Sequence, residues 1–182
     1  MALFTALIIG IFWAIFDFLR KKALNHFNEY EVLFVVIISQ LILFSITLTF
    51  SGFTLILEKY YLYYIPLITL GLLAFFLFLK ALKNSEISLT IPLLSFTPLF
   101  SAVYAFFLLD EKLSYYNYIG IFIVILGSFI LYSRSLTLKD LCASPKALYD
   151  NYYAKLMLVV ALIWSLTPVL DKKCLEYTDI YL

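Results

Sequence analysis

Asp17 is the residue whose position most needs a chemical reason. It stands inside the apolar run from Ile11 to Leu19, where a carboxylate is costly and by default marks a substrate pathway or a proton-coupling group. A local reading stands beside that one: Lys21 lies four residues on, shares the helical face and is placed to pair with the acid near the membrane surface. Lys21 itself, at a helix end, is placed to anchor it by snorkelling to the headgroups.

A second group with chemical potential surrounds Pro92 and Pro98, with Ser88, Thr90, Ser95, Thr97 and Ser101 on or near them. Proline removes an amide donor and clashes with the carbonyl four residues back, so it kinks a helix and frees polar groups. In lipid, freed carbonyls persist only where other helices, hydroxyls or water satisfy them. This segment is therefore expected to line a central cavity, together with Trp13, Trp164, Thr167 and Pro168. The alternative is a structural kink whose hydroxyls bond back to their own backbone. Tyr104, one turn beyond Ser101, either faces a ligand or packs in the core. Pro66 and Gly71, and the pair Gly120 and Gly127, read as packing features, since glycines seven apart share a helix face and allow close approach.

Other chemistries find no support. The chain has no glycine-rich phosphate loop, and His26 is its single histidine, with Cys142 and Cys174 isolated, so neither a metal site nor a cofactor is expected. Polar groups do not converge as a membrane enzyme would need. A net charge of +1 with no long basic patch gives no reason to invoke nucleic acid.

The elements that position these residues follow from composition. With 64% apolar residues, 14% charged and a mean hydropathy of +1.00, the chain is too apolar for a soluble domain. Runs free of charge cover 1–16, 32–57, 60–79, 87–109, 113–133 and 156–170, and a helix needs about 20 residues to cross the hydrocarbon layer. Six spans result, the first and last extending toward Lys21 and Lys172. The runs lack strict alternation and are about twice as long as a barrel strand needs. Met1-Ala2-Leu3 carries no basic segment of the kind that opens a signal peptide. Short links at Phe53–Lys59, Asn84–Glu86 and Asp110–Lys112 predict helix hairpins, and the one long link runs from Arg134 to Lys155. The expected units are 1–134, a linker over 135–154, and 155–182.

The chain also repeats itself across 151 positions. Ile11-Phe12-Trp13-Ala14-Ile15 followed by Leu19 to Leu24 is matched by Leu162-Ile163-Trp164-Ser165-Leu166 followed by Leu170 to Leu175. Five helices precede the second copy, so the first and sixth spans are expected to cross the bilayer in opposite directions, the inverted arrangement of many secondary transporters.

Several stretches together resemble the third-to-fifth helix region of the drug/metabolite transporter superfamily, specifically its EamA domain: Ala81-Leu82-Lys83, Ser88-Leu89-Thr90, Leu93, Ser95, Pro98-Leu99-Phe100, and Glu111 to Ser114 with Gly120 and Gly127. Trp13 with Lys21, and Trp164 with Lys172, resemble that family's first-helix pattern in both halves, which implies a structural or substrate-facing role for the two lysines beside simple anchoring. The resemblance implies an all-α, polytopic membrane permease: one five-helix EamA-type repeat plus the start of an inverted second, six transmembrane helices of a ten-helix plan. It also implies a multi-pass protein of the cell membrane, the inner membrane in a bacterium, whose partners are the lipid bilayer and a small organic metabolite, often moved outward. The chain departs from the pattern at Ala14 and Ser165, where the family usually has Gly, and in lacking the common Arg of the second helix. Its end at Leu182 reads as a truncated or split form, working as a homodimer or with a partner that supplies the missing helices. The alternative is a non-transporting subunit or a nonfunctional remnant. Nine Lys and Arg lie near span ends on the side of the first, third and fifth links and four on the other, which would place the amino terminus outside. The family habit places it in the cytoplasm, and that orientation is preferred.

Overall fold

The computed structural model describes residues 2–51, 58–132 and 151–177, and the described residues are helical apart from short links. The order is α1 (Ala2–Leu24), α2 (Glu29–Ser51), α3 (Glu58–Lys83), α4 (Ile87–Thr90), a 3₁₀ segment (Ile91–Phe96), α5 (Thr97–Leu109), α6 (Tyr115–Tyr132) and α7 (Tyr152–Leu175). The link expected at 135–154 falls mostly outside the described residues.

Four helical stretches are long and apolar enough to cross a membrane: Glu29–Ile46, Tyr60–Lys83, Ile91–Leu109 and Tyr152–Leu175. A shorter apolar helix covers Tyr115–Ser128, and α1 adds 23 residues with its charges gathered near the carboxyl end. The molecule is a multi-pass helical membrane protein.

Local chemistry sets the helix ends. Asn28 and Glu31 form a reciprocal capping box at the start of α2: Glu31 N donates to Asn28 Oδ1 at 2.9 Å and Asn28 N donates to Glu31 Oε2 at 2.8 Å. Asn151 Oδ1 accepts from the amides of Tyr153 and Ala154 at the start of α7. Asp110 closes α5 in the left-handed region, at φ 54°, a conformation that aspartate adopts more readily than most residues.

The fourth span is not one kinked helix. Pro92 and Pro98 each occupy the first turn of a new segment, the 3₁₀ stretch and α5. There the missing amide would have had no partner and the fixed φ suits the start of a helix. The span therefore breaks into three pieces instead of bending at two points. Pro66 and Pro168 do lie inside continuous helices, α3 and α7.

The core lies where α7 packs on α3. Ala74, Phe78, Leu79, Ala81 and Leu82 from α3 are buried in one cluster with Ala154, Met157 and Val160 from α7. Leu24, Val32 and Leu93 join the cluster from α1, α2 and the 3₁₀ segment. Lipid tails are as apolar as these side chains, so close packing of small against large residues has to hold the seam. By contrast, Phe34, Val35, Leu41, Ile42 and Phe44 of α2 are exposed, as suits a helix whose surroundings are lipid.

Contacts at the helix ends fix directions. Lys21 of α1 reaches the carbonyls of Leu82 and Lys83, so α1 and α3 end on the same side. Tyr177, just past α7, stacks on Tyr63 near the start of α3 with ring centroids 5.9 Å apart. Lys172 pairs with Glu111, just past α5. Thus α7 ends on the other side, and the two tryptophan helices run antiparallel as the repeat predicts.

Replacing Phe78, 1% exposed at the seam, with Ala is expected to destabilise the protein by about 3 kcal/mol. This is the low end of the range for buried aromatics, because lipid removes most of the transfer contribution. Thermal unfolding in mild detergent measures it, and Phe34→Ala is the unaffected control.

Candidate functional site

Trp13, Phe16, Asp17 and Arg20 recur at the three- and four-residue spacings that align side chains on one helical face. Arg20 Nη1 donates to Asp17 Oδ1 at 2.7 Å, both side chains being 16% exposed. The guanidinium carbon stands 5.3 Å from the Trp13 ring centre, 5.9 Å from that of Phe16 and 5.4 Å from that of Phe75 on α3. All three distances lie within the range at which a ring quadrupole attracts a cation. Asp17 is therefore paired, but with Arg20 and not with Lys21.

Lys21 is drawn elsewhere. Its Nζ donates to the carbonyls of Leu82 at 2.6 Å, Lys83 at 3.0 Å and Ser85 at 2.7 Å. The last carbonyls of a helix have no intrahelical partner and carry its negative dipole end, so an ammonium satisfies them twice over. Lys21 thus anchors α1 to the end of α3. Nearby, Lys83 Nζ pairs with Glu29 Oε2 at 3.1 Å and ties the start of α2 to the same point.

The large opening beside these residues is a cleft of about 1010 Å³ between α1 and α2. Trp13, Phe16 and Arg20 line its α1 wall; Glu31, Ser39 and Gln40 are the polar residues of its α2 wall. Trp13 is 56% exposed overall.

The hydroxyls of the fourth span mostly serve their own backbone. Thr90 Oγ1, fully buried, donates to the Glu86 carbonyl at 3.0 Å, and Ser95 Oγ lies 2.6 Å from the Pro92 carbonyl. Ser95 also meets Ser128 of α6 hydroxyl to hydroxyl, a contact that ties the 3₁₀ segment to the fifth span. Thr97, Ser101 and Tyr104 are half-buried on the span that packs against α7. On α7, Trp164 packs on Phe78 with ring centroids 5.2 Å apart, Ser165 Oγ donates to the Leu162 carbonyl at 2.6 Å and Thr167 Oγ1 to the Trp164 carbonyl at 2.8 Å. Thr69 Oγ1 likewise donates to the Ile65 carbonyl one turn back, next to Pro66.

The residues singled out by sequence thus fall into two groups. Trp13 lines the cleft with Arg20, and Asp17 is joined to them through its pair with Arg20. Ser95, Thr97, Ser101, Tyr104, Trp164 and Thr167 belong to the packed side of the molecule. Phe75 and Phe78, stacked at 6.2 Å, connect the two groups through α3. Arg20 was missed, although it is three residues from Asp17 and on the same face. Among the described residues no group of His, Cys, Asp and Glu could hold a metal ion.

Lipid-length helices, an antiparallel pair of matched tryptophan helices and a part-buried charge pair beside an apolar cleft fit an integral membrane protein of the transporter type. The chain belongs to the EamA-like transporter family, whose profile matches residues 1–133. Its membership makes it a multi-pass membrane transporter of the drug/metabolite class, and points to transport rather than catalysis. No curated protein and no solved structure matches the chain.

Lys21→Met is expected to cost about 3 kcal/mol, since hydrogen bonds to a charged group contribute roughly 1.5–3 kcal/mol each and do not add fully. Lys172→Met, which loses only the exposed pair with Glu111, is expected to cost less than about 1 kcal/mol. Parallel thermal melts of the two variants check the contrast between matched repeat positions.

Proposed function

We propose that this chain carries a small organic metabolite across the cell membrane by alternating access, acting with a second copy or a partner. The observation that carries this reading is the antiparallel placement of α1 and α7 about α3 in a chain of a transporter family. Inverted repeats that rock about a shared element are the common basis of alternating access.

The unequal surroundings of the two tryptophans support a partner at the cleft. Trp164 is covered by Phe78, whereas the matched Trp13 stands open to the cleft. In this reading Asp17 lies on the substrate pathway, and the cleft between α1 and α2 admits cargo to it.

Purified protein reconstituted into liposomes, assayed for counterflow of a panel of amino acids, amines and sugar derivatives at several pH values, tests the proposal. At least one compound is expected to be taken up, and Asp17→Asn is expected to reduce that uptake at least about tenfold, the effect of losing one partner of a desolvated charge pair. Uptake unchanged by Asp17→Asn removes the acid from the pathway. No uptake of any compound, by protein that elutes as a folded monomer, favours the non-transporting subunit.

A further inference from the structure

The two ends of the molecule are held with unequal strength. At one end the half-buried Lys21 donates to three carbonyls at and just past the end of α3, and Glu29 pairs with Lys83 beside it. The packed part of α3 lies toward that end: its buried side chains begin at Ala74, and no residue from Tyr60 to Leu73 is buried. At the other end Lys172, the repeat mate of Lys21, reaches the carboxylate of Glu111, and the two side chains are 53% and 43% exposed. Val169 and Cys174 are the buried residues of α7 toward this end.

Between that ion pair and a weak point in the backbone runs α5. It lies against α7 but buries no residue of its own. Its carboxyl end passes directly into Asp110 and Glu111. Its amino end grows from Ile91–Phe96, six residues of 3₁₀ helix with Pro92 near the start and Pro98 just beyond. Turns of 3₁₀ helix have poorer hydrogen-bond geometry than α turns and rarely run beyond three or four residues, so such a stretch inside a span marks a hinge. Ser95 ties the hinge to Ser128 of α6. The 13 residues of α5 then form a rod of about 20 Å that is fixed at the hinge end.

We propose that α5 is a gate, a rod that pivots on the 3₁₀ segment Ile91–Phe96 and is latched to α7 by the Glu111–Lys172 pair, so that the molecule opens at the Lys172 end while the Lys21 end stays closed. An exposed ion pair suits a latch because it is weak. It biases a two-state equilibrium by no more than about fivefold, enough to favour the closed form and little enough to release. The three bonds of Lys21 to carbonyls left open at a helix end are too strong for that task. What the movement uncovers is the half-buried face of Ser101 and Tyr104, which comes off α7 and meets water entering from the Lys172 end. This deepens the transport reading and rests on it for what passes the opening, while the opening itself is a property of the fold.

The reaction rate of a single cysteine with a membrane-impermeant maleimide tests the gate, in proteoliposomes of the whole chain with Cys142 and Cys174 replaced by Ser and the reagent on both faces. With Ser101→Cys as reporter, Glu111→Gln is expected to raise the rate about two- to fivefold. Raising the salt from about 10 mM to about 150 mM, which screens an exposed pair, is expected to do the same in the parent and to change nothing in Glu111→Gln. Exchanging the charges, Glu111→Lys with Lys172→Glu, is expected to return the rate to its starting value. Ala81→Cys, fully buried at the closed end, reports general loosening and is expected to stay slow throughout. If Ser101→Cys does not fold, Ala105→Cys, one turn on and half-buried, takes its place. A reporter rate that ignores Glu111→Gln or salt, an exchange that fails to restore it, or an equal rise at Ala81→Cys would each overturn the proposal. A reporter that behaves as expected in protein that carries no flux in liposomes would leave the gate standing and sink the transport reading alone.

Discussion

Phe78 of α3 meets Trp164 of α7 at 5.2 Å, and the seam to which this contact belongs holds the buried part of the molecule in one place. In lipid there is no hydrophobic penalty to drive helices together, so affinity between them comes from contact quality. Ala74 and Ala81 on α3, and Ala154 and Ala161 on α7, are essentially inaccessible, and their small side chains let the two backbones approach while Phe78, Leu79, Leu82 and Met157 fill the space. Leu24, Val32 and Leu93 then close the ends against α1, α2 and the 3₁₀ segment. Elements far from this seam, such as most of α2, keep their side chains for the lipid.

Charge is placed with the same economy. Lys21 closes the open end of α3 with three hydrogen bonds, and Glu29 with Lys83 pins α2 to the same point. These contacts explain why α1 and α2, which pack lightly, keep their register against α3. Arg20 and Asp17 differ in kind. Their pairing joins no two helices by itself, and the rings around it belong to both α1 and α3. Arg20 lies at the edge of the cleft over rings of both helices, and so adds a cation–π contact between α1 and α3.

Much of the fold is legible in the residues because lipid leaves few choices: backbone groups must be paired internally, so long charge-free runs become helices. The repeat carried the direction of α7, and Trp13 and Trp164 carried the family. Less could be read at the site. Asp17 has one basic residue three positions on and another four positions on, both on its face, and local spacing does not separate them. The deciding factor is tertiary, since the carbonyls at the end of α3 attract Lys21 and leave Arg20 to the acid. The prolines of the fourth span announced a departure from regular helix, but whether Pro92 and Pro98 bend one helix or begin two depends on the six-residue 3₁₀ stretch between them. The cleft between α1 and α2 had no sequence signal, since the few polar residues of α2 are spread around the helix and mark no single face.

The account rests on α1 and α7 crossing the bilayer in opposite senses about α3. Site-directed labelling measures this most directly: in a background with Cys142 and Cys174 replaced by Ser, single cysteines at Asn25 and Glu176, just past the ends of α1 and α7, are challenged with a membrane-impermeant maleimide from either side of sealed vesicles. Labelling of the two positions from opposite sides is the predicted result. Labelling of both from one side would mean that the two tryptophan helices run the same way, and the inverted arrangement would be wrong.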